Sequence, residues 1–170
     1  MTNARPTEQT TIDTLKNSFG NVEFRAYRGR PQAIVPVGIV HDVLTILKDQ
    51  LSFNFLVDVT CVDYLQYRDA TNRFGLVYLL ANTETGERAT VRTFVNDPDP
   101  TVPTVVDLWE GANWLEREVW DLFGIHFTGH PDLRRIVLPE AFTSHPLRKD
   151  YPLQGRGERH NHPVITRAEG

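Results

Sequence analysis

The chain has 170 residues, enough for one domain or for one domain and an arm. A 40% hydrophobic and 24% charged composition excludes wholesale disorder, and a net charge of −4 offers no electrostatic footprint for nucleic acid. A single cysteine excludes a disulfide framework and any four-cysteine zinc or iron–sulfur site within the chain. No stretch approaches the ~20 apolar residues needed to cross a bilayer. The start, MTNARPTEQTTIDTLKNSFG, has no apolar core and carries acidic residues, so it reads as neither a secretion signal nor a transit peptide. The expectation is a soluble protein of a reducing cytoplasm.

In chain order, a short helix is possible around Ile12–Phe19. VEFRAY then alternates, with Val22, Phe24 and Ala26 on one face, as a strand does. QAIVPV alternates again through Ala33, Val35 and Val37. From Ile39 to Leu51 the period changes: Val40, Val43, Leu44, Leu47 and Leu51 predict an amphipathic helix. FNFLVDVTCVDY puts Phe53, Phe55, Val57, Val59 and Cys61 on one side of a long strand. RFGLVYLLAN is apolar on both faces, as a covered central strand is, and RATVRTFV follows a hairpin-like TETGE link. The order β-β-α-β-β-β predicts a mostly antiparallel sheet with a helix on one face. NDPDPTVP breaks the chain before two short helices. Thr104 with Asp107 fits a cap for VVDLW, and Asn113 with Glu116 fits a cap for a helix over Trp114–Phe123 that stops at Gly124.

That last helix carries the densest information. Leu115, Val119, Leu122 and Phe123 form an apolar arc with Trp120 beside it, while Arg117, Glu118 and Asp121 sit opposite. Arg117 and Asp121 are four apart and could pair. Glu116 falls on the apolar side. Two readings stay open: a cap partner of Asn113, or a carboxylate facing a contact surface that awaits an arginine.

Tests for independent chemistry fail. GxGxxG, the phosphate-binding loop, GxSxG and HExxH are all absent. His126 and His130 have helical metal spacing, but Gly124, Gly129 and Pro131 argue against a helix there. Cys61 reads as an inert buried thiol, and Asp58 and Asp63 as solvated carboxylates. A free-standing metal-binding enzyme built on His126, His130 and Glu116 is the alternative of a different class.

Charge divides the chain. Residues 1–125 hold 11 Lys/Arg and 17 Asp/Glu, whereas residues 126–170 hold 7 and 5, with five of the six histidines and five of the eleven prolines. The division predicts a core domain over 1–125 and an extended docking arm over 126–170. Up to Leu153 the arm has HP dipeptides at 130–131 and 145–146, and each proline restricts the histidine before it to extended geometry. An extended chain cannot bond its own backbone, so its amides need a neighbour, and protein–protein docking is the physical reading. Residues 151–170 are expected to be disordered alone and ordered on a partner.

The segment LEREVWDLFGIHFTGHPDLRRIVLPEAFTSHPLRKDYPL resembles the signature of the 30 kDa subunit of respiratory complex I, the proton-pumping NADH:quinone oxidoreductase, known in bacteria as the C subunit. The resemblance rests on Glu116-Arg117-Glu118, Asp121-Leu122-Phe123, His130, Arg134-Arg135-Ile136 and HPLRKDYPL at 145–153. It implies an α+β fold with a mostly antiparallel sheet, flanking helices and an extended, proline-rich C-terminal arm. It also implies a cofactor-free structural and assembly subunit of the peripheral arm, with NADH, FMN, iron–sulfur clusters and quinone held by partner subunits. The implied partners are the 49 kDa quinone-pocket subunit and the subunit that holds the terminal iron–sulfur cluster, at the cytoplasmic face of the membrane. Glu116, Arg117, Glu118, Asp121, His130, Asp132, Arg134, Arg135, His145, Arg148, Lys149, Asp150 and Tyr151 are its signature and candidate interface residues. Equivalent subunits of ferredoxin- or F420-linked quinone reductases and membrane-bound hydrogenases carry a related signature.

Overall fold

Five strands of one sheet and three helices form the framework of the chain, in the order that the hydrophobic periods predict. The structure is a computed structural model and describes residues 6–20, 22–27 and 30–158. Helix α1 spans Pro6–Ser18, β1 Glu23–Tyr27 and β2 Arg30–Ile34. A short 3-10 turn at Val37–Ile39 leads into α2, Val40–Asp49, whose buried stripe is Val40, Val43, Leu44 and Leu47. Strands β3 (Phe55–Asp63), β4 (Phe74–Ala81) and β5 (Arg88–Val95) then form an antiparallel meander.

The meander starts at one edge and returns to the centre, so β5 meets β2 and the sheet order is β1-β2-β5-β4-β3. The β2–β5 pair is parallel, and the other pairs are antiparallel. Asn82 makes the β4–β5 turn by accepting from the Glu84 and Thr85 amides at 2.9 and 3.1 Å. Period-2 alternation sorts the sheet into two faces. Ala33, Leu76, Tyr78, Leu80, Val91 and Val95 point into a core closed by Leu15, the α2 stripe, Val119 and Phe123. Ile34, Thr90, Arg92 and Phe94 have the opposite parity, on the face that carries none of the three helices.

The region after β5 departs from expectation. Thr101–Pro103 is a strand, β6, and His126–Thr128 is a strand, β7; they pair in parallel around α3, Ala112–Phe123. VVDLW forms hydrogen-bonded turns and no helix: the Leu108 and Trp109 amides both donate to the Val105 carbonyl at 3.0 Å. Asp107 does not cap it, because that carboxylate pairs with His41 at 2.9 Å. Helix α3 begins two residues before the expected Trp114, with Asn113 inside its first turn and no side-chain cap. The added β-α-β layer buries Val102, Val105, Ile125 and Phe127, whose runs are too short to show a period in the sequence.

Candidate functional site

Helix α3 positions two buried carboxylates five residues apart, Glu116 and Asp121, each 0% exposed. Glu116 meets neither an arginine nor the Asn113 cap. It accepts the Val105 amide at 2.7 Å and the Thr104 hydroxyl at 2.5 Å, which ties the α3 interior to the end of β6. Burial pushes its carboxyl up to about 7, against the pull of these two donors.

Asp121 is not on a solvated face. One oxygen accepts three consecutive amides, from Ile136, Val137 and Leu138, at 3.1, 2.8 and 2.9 Å. The other takes the Arg135 guanidinium. Burial alone would raise this carboxyl, but the amides and Arg135 outweigh it and hold the group below its ordinary value. Arg135 also reaches the Ser144 carbonyl at 3.3 Å, and its charge lies 5.6 Å from the Trp120 ring and 5.9 Å from Phe142. Arg117 does not pair with Asp121: its Nε and Nη2 donate to the Arg134 and Arg135 carbonyls, both at 3.1 Å. Residues 134–138 are therefore clamped onto α3 from both sides.

The HPLRKDYPL segment returns to the body. His145 Nδ1 donates to the Asp121 carbonyl at 2.9 Å, and burial holds its imidazole below the ordinary value, so it stays neutral near pH 7. The Leu147 amide donates to the Leu122 carbonyl, and the Lys149 amide donates to Asp63 at 2.8 Å. Asp63 is thus buried at the end of β3, where it also accepts the Leu65 amide, and is no solvated carboxylate. Arg148 grips Asp97 through two bonds of 2.8 and 2.9 Å. Arg73 meets Asp97, Asp150 at 2.8 Å and Asp63 at 3.5 Å. Both guanidinium groups lie close to the Phe74 ring, at 4.8 and 4.9 Å. Glu158 closes the segment by accepting from Ser144, the Tyr151 hydroxyl and the Arg156 amide at 2.9, 2.9 and 2.7 Å. Residues 151–158 are thus held by this chain's own groups, and the part of the expected docking arm from 159 to 170 lies outside the described residues.

His130, Asp132 and Arg134 form the outer edge. The Asp132 amide donates to His130 Nδ1 at 3.0 Å, so Nε2 carries the proton that faces the Asn113 carbonyl at 3.2 Å. Arg134 pairs with Asp132 at 2.9 Å in solvent, and Glu118 is exposed. His126, His130 and Glu116 do not form a ligand set, because both nitrogens of His130 and both oxygens of Glu116 are occupied. No group of three potential metal ligands occurs among the described residues. Burial pushes the Cys61 thiol up to about 12, so it is no nucleophile near neutral pH.

Sequence reasoning misread Asp63 and Thr104 and passed over Arg73, Asp97 and Glu158; the partners Lys149 of Asp63, Glu116 of Thr104 and Tyr151 of Glu158 lie 86, 12 and 7 residues away and leave no local pattern. It also passed over the surface that the clamp exposes. Trp114, one turn before Arg117, is 59% exposed, and Ile136 and Val137 are 41% and 56% exposed. Their backbones are fixed by α3 and by Asp121 while their side chains face outward.

Three comparisons bear on this arrangement. Residues 33–157 match the family described as respiratory-chain NADH dehydrogenase, 30 Kd subunit. The chain is similar to the NADH-quinone oxidoreductase C subunit of Geobacter sulfurreducens, 44% identical over 143 residues that cover 83% of this chain and 87% of that one. It is 54% identical over 109 residues to NADH-quinone oxidoreductase subunit 5 of Thermus thermophilus, covering 61% and 53%. The solved trypsin-resistant fragment of Nqo5 superposes with a TM-score of 0.68 at 36% identity, over 75% of this chain and 99% of that one. A chain of the membrane-bound sulfane sulfur reductase, an archaeal respiratory membrane complex, gives 0.73 at 27% identity over 94% and 93%.

The folded state raises the Glu116 pKa from 4.5 to about 7, so it binds this proton more tightly than the unfolded chain does. The Glu116 contribution to stability therefore grows as pH falls from about 7 towards 4.5, by an upper limit of about 3 kcal/mol. Glu116→Gln, which preserves the shape, is expected to remove this pH dependence. Urea unfolding of both proteins between pH 5 and pH 8 checks it, and parallel stability profiles would refute it. Asp121 has the opposite sign: its contribution is present above the ordinary carboxylate pKa and is lost as pH falls through the lower folded value. Asp121→Asn leaves Arg135 without its buried partner and should cost about 3–5 kcal/mol. Hydrogen exchange should then accelerate first at the Ile136, Val137 and Leu138 amides.

Proposed function

The chain belongs to the respiratory-chain NADH dehydrogenase 30 Kd subunit family, and on that premise we propose that it is a structural subunit of a membrane-associated NADH:quinone oxidoreductase. The observation that carries the proposal beyond the family is the clamped, outward-facing surface of Trp114, Ile136 and Val137 beside Arg134. An exposed aromatic and two exposed aliphatics on a rigid backbone are what a partner's hydrophobic anchor needs. The partner is the 49 kDa-type quinone-pocket subunit, with the subunit that holds the terminal iron–sulfur cluster nearby. The electrons pass through partner subunits, and this chain contributes assembly and geometry, with no cofactor of its own. No helix among the described residues is long and apolar enough to cross a membrane, so attachment to the cytoplasmic face runs through the partners.

The likeness to a chain of the archaeal sulfane sulfur reductase favours one second reading, the equivalent subunit of another respiratory membrane complex. Identities of 44% and 54% to NADH-quinone oxidoreductase subunits, against 27% there, support the first reading.

Trp114→Ala and Val137→Asp are expected to lower the amount of assembled complex severalfold in membranes of a host that carries the variant. Quinone reductase turnover per assembled complex should be unchanged. The stability of the purified chain should move by no more than about 0.5 kcal/mol, since both sites are exposed. Native gels with activity staining and urea melts measure these quantities. Complex in normal amount would overturn the docking assignment, and normal assembly with slow turnover would place the surface in the quinone chemistry.

A further inference from the structure

The sheet face opposite the helices carries a cleft of about 450 Å³ that the preceding roles leave unused. Its floor is formed by β1, β2 and β5, through Glu23, Ile34 and Arg92 in one row across the register Glu23↔Ile34↔Arg92. Its far wall is Tyr64 and the 69–72 loop between β3 and β4, with Phe94 at the base. Tyr64 lies over Gly75, where a β-carbon would come within 2.8 Å of the ring, and its ring centre is 6.1 Å from that of Phe94. This close approach fixes the aromatic wall, because a side chain at 75 would push it away.

Two acids and two bases line the cleft, Glu23, Asp69, Arg25 and Arg92, and Asp69 lies out in solvent beside Arg68 at 4.0 Å. Glu23 is engaged by Arg25 at the rim, at 2.9 Å, in an exposed pair. Arg92 has no acid partner among the described residues, and its Nε is enclosed without a hydrogen-bond acceptor. A guanidinium that lacks an acid partner is complementary to a carboxylate, which can take parallel N–H bonds from such a group. The surrounding Ile34, Tyr64 and Phe94 offer apolar surface to the stem that carries the carboxylate.

We propose that this cleft is a second docking site of the chain, taking an Asp- or Glu-bearing segment of another subunit of the same assembly, with Arg92 as its anchor. The inference rests on the proposed function for the existence of the assembly, and it concerns the face opposite to the one that carries Trp114. A protein segment fits better than a free small anion because the cleft opens onto a sheet face that no helix among the described residues covers. The half-exposed Leu79 and Thr90 extend the contact beyond the charge.

Photocross-linking in the purified, assembled complex tests it. Para-benzoylphenylalanine replaces Thr71 on the cleft rim in one preparation and Trp114 on the opposite face in another. The residue-71 probe is expected to join a partner-subunit peptide that carries Asp or Glu within a few residues. Adding Arg92→Met should lower that yield about tenfold, and Arg92→Lys should restore part of it. Cross-linking from 114 but not from 71 would overturn this inference and leave the proposed function standing. So would a residue-71 adduct with lipid, or a yield indifferent to Arg92→Met in a complex that still assembles. Absence of cross-links from both positions would overturn both.

Discussion

Backbone amides without regular partners must be satisfied, and buried carboxylates satisfy them throughout the second half of this chain. From Gly129 to Gly157 there is no helix or strand. Glu116 takes the amide that opens the turn after β6, Asp121 takes three in the 136–138 stretch, Asp63 takes that of Lys149, and Glu158 takes that of Arg156. Ionised oxygens accept more strongly than neutral ones and accept several donors at once, so a few side chains replace a missing ladder. Arg135 and Arg73 supply the compensating charge that lets two acids, Asp121 and Asp63, persist away from water, and Arg148 with Arg73 holds the exposed Asp97. The proline-punctuated segment holds its shape through the body beneath it.

Much of this is legible in the sequence wherever a period runs long enough. Helix α2 shows its stripe over three turns, β4 reads as covered on both faces, and the stop of α3 at Gly124 is matched by a left-handed φ of 76°. A β-carbon at Gly124 would lie 2.7 Å from His145, so the same glycine ends the helix and admits the returning segment. Strands β6 and β7 are not legible, since three residues with a proline carry no alternation.

The roles of the α3 acids are the harder miss. Helical spacing places Glu116 on the apolar side, but nothing local names Thr104 and Val105 as its donors. Wheel geometry puts Asp121 in solvent because the wheel knows one helix and not the chain that folds over it. The prolines at 131, 139, 146 and 152 mark a stretch without a ladder, whose amides take partners elsewhere. Those partners for residues 134–158 belong largely to the same chain, which no pattern within the segment could announce.

The way Asp121 holds its neighbours separates two properties that most surfaces confound. It grips Ile136, Val137 and Leu138 by their amides and is indifferent to what those residues carry beyond the β-carbon, provided none is proline. The side chains at these positions can be rewritten in size or polarity while the chain beneath them stays where it is. A lineage can therefore change the chemistry of this patch one residue at a time, without renegotiating how the patch is built.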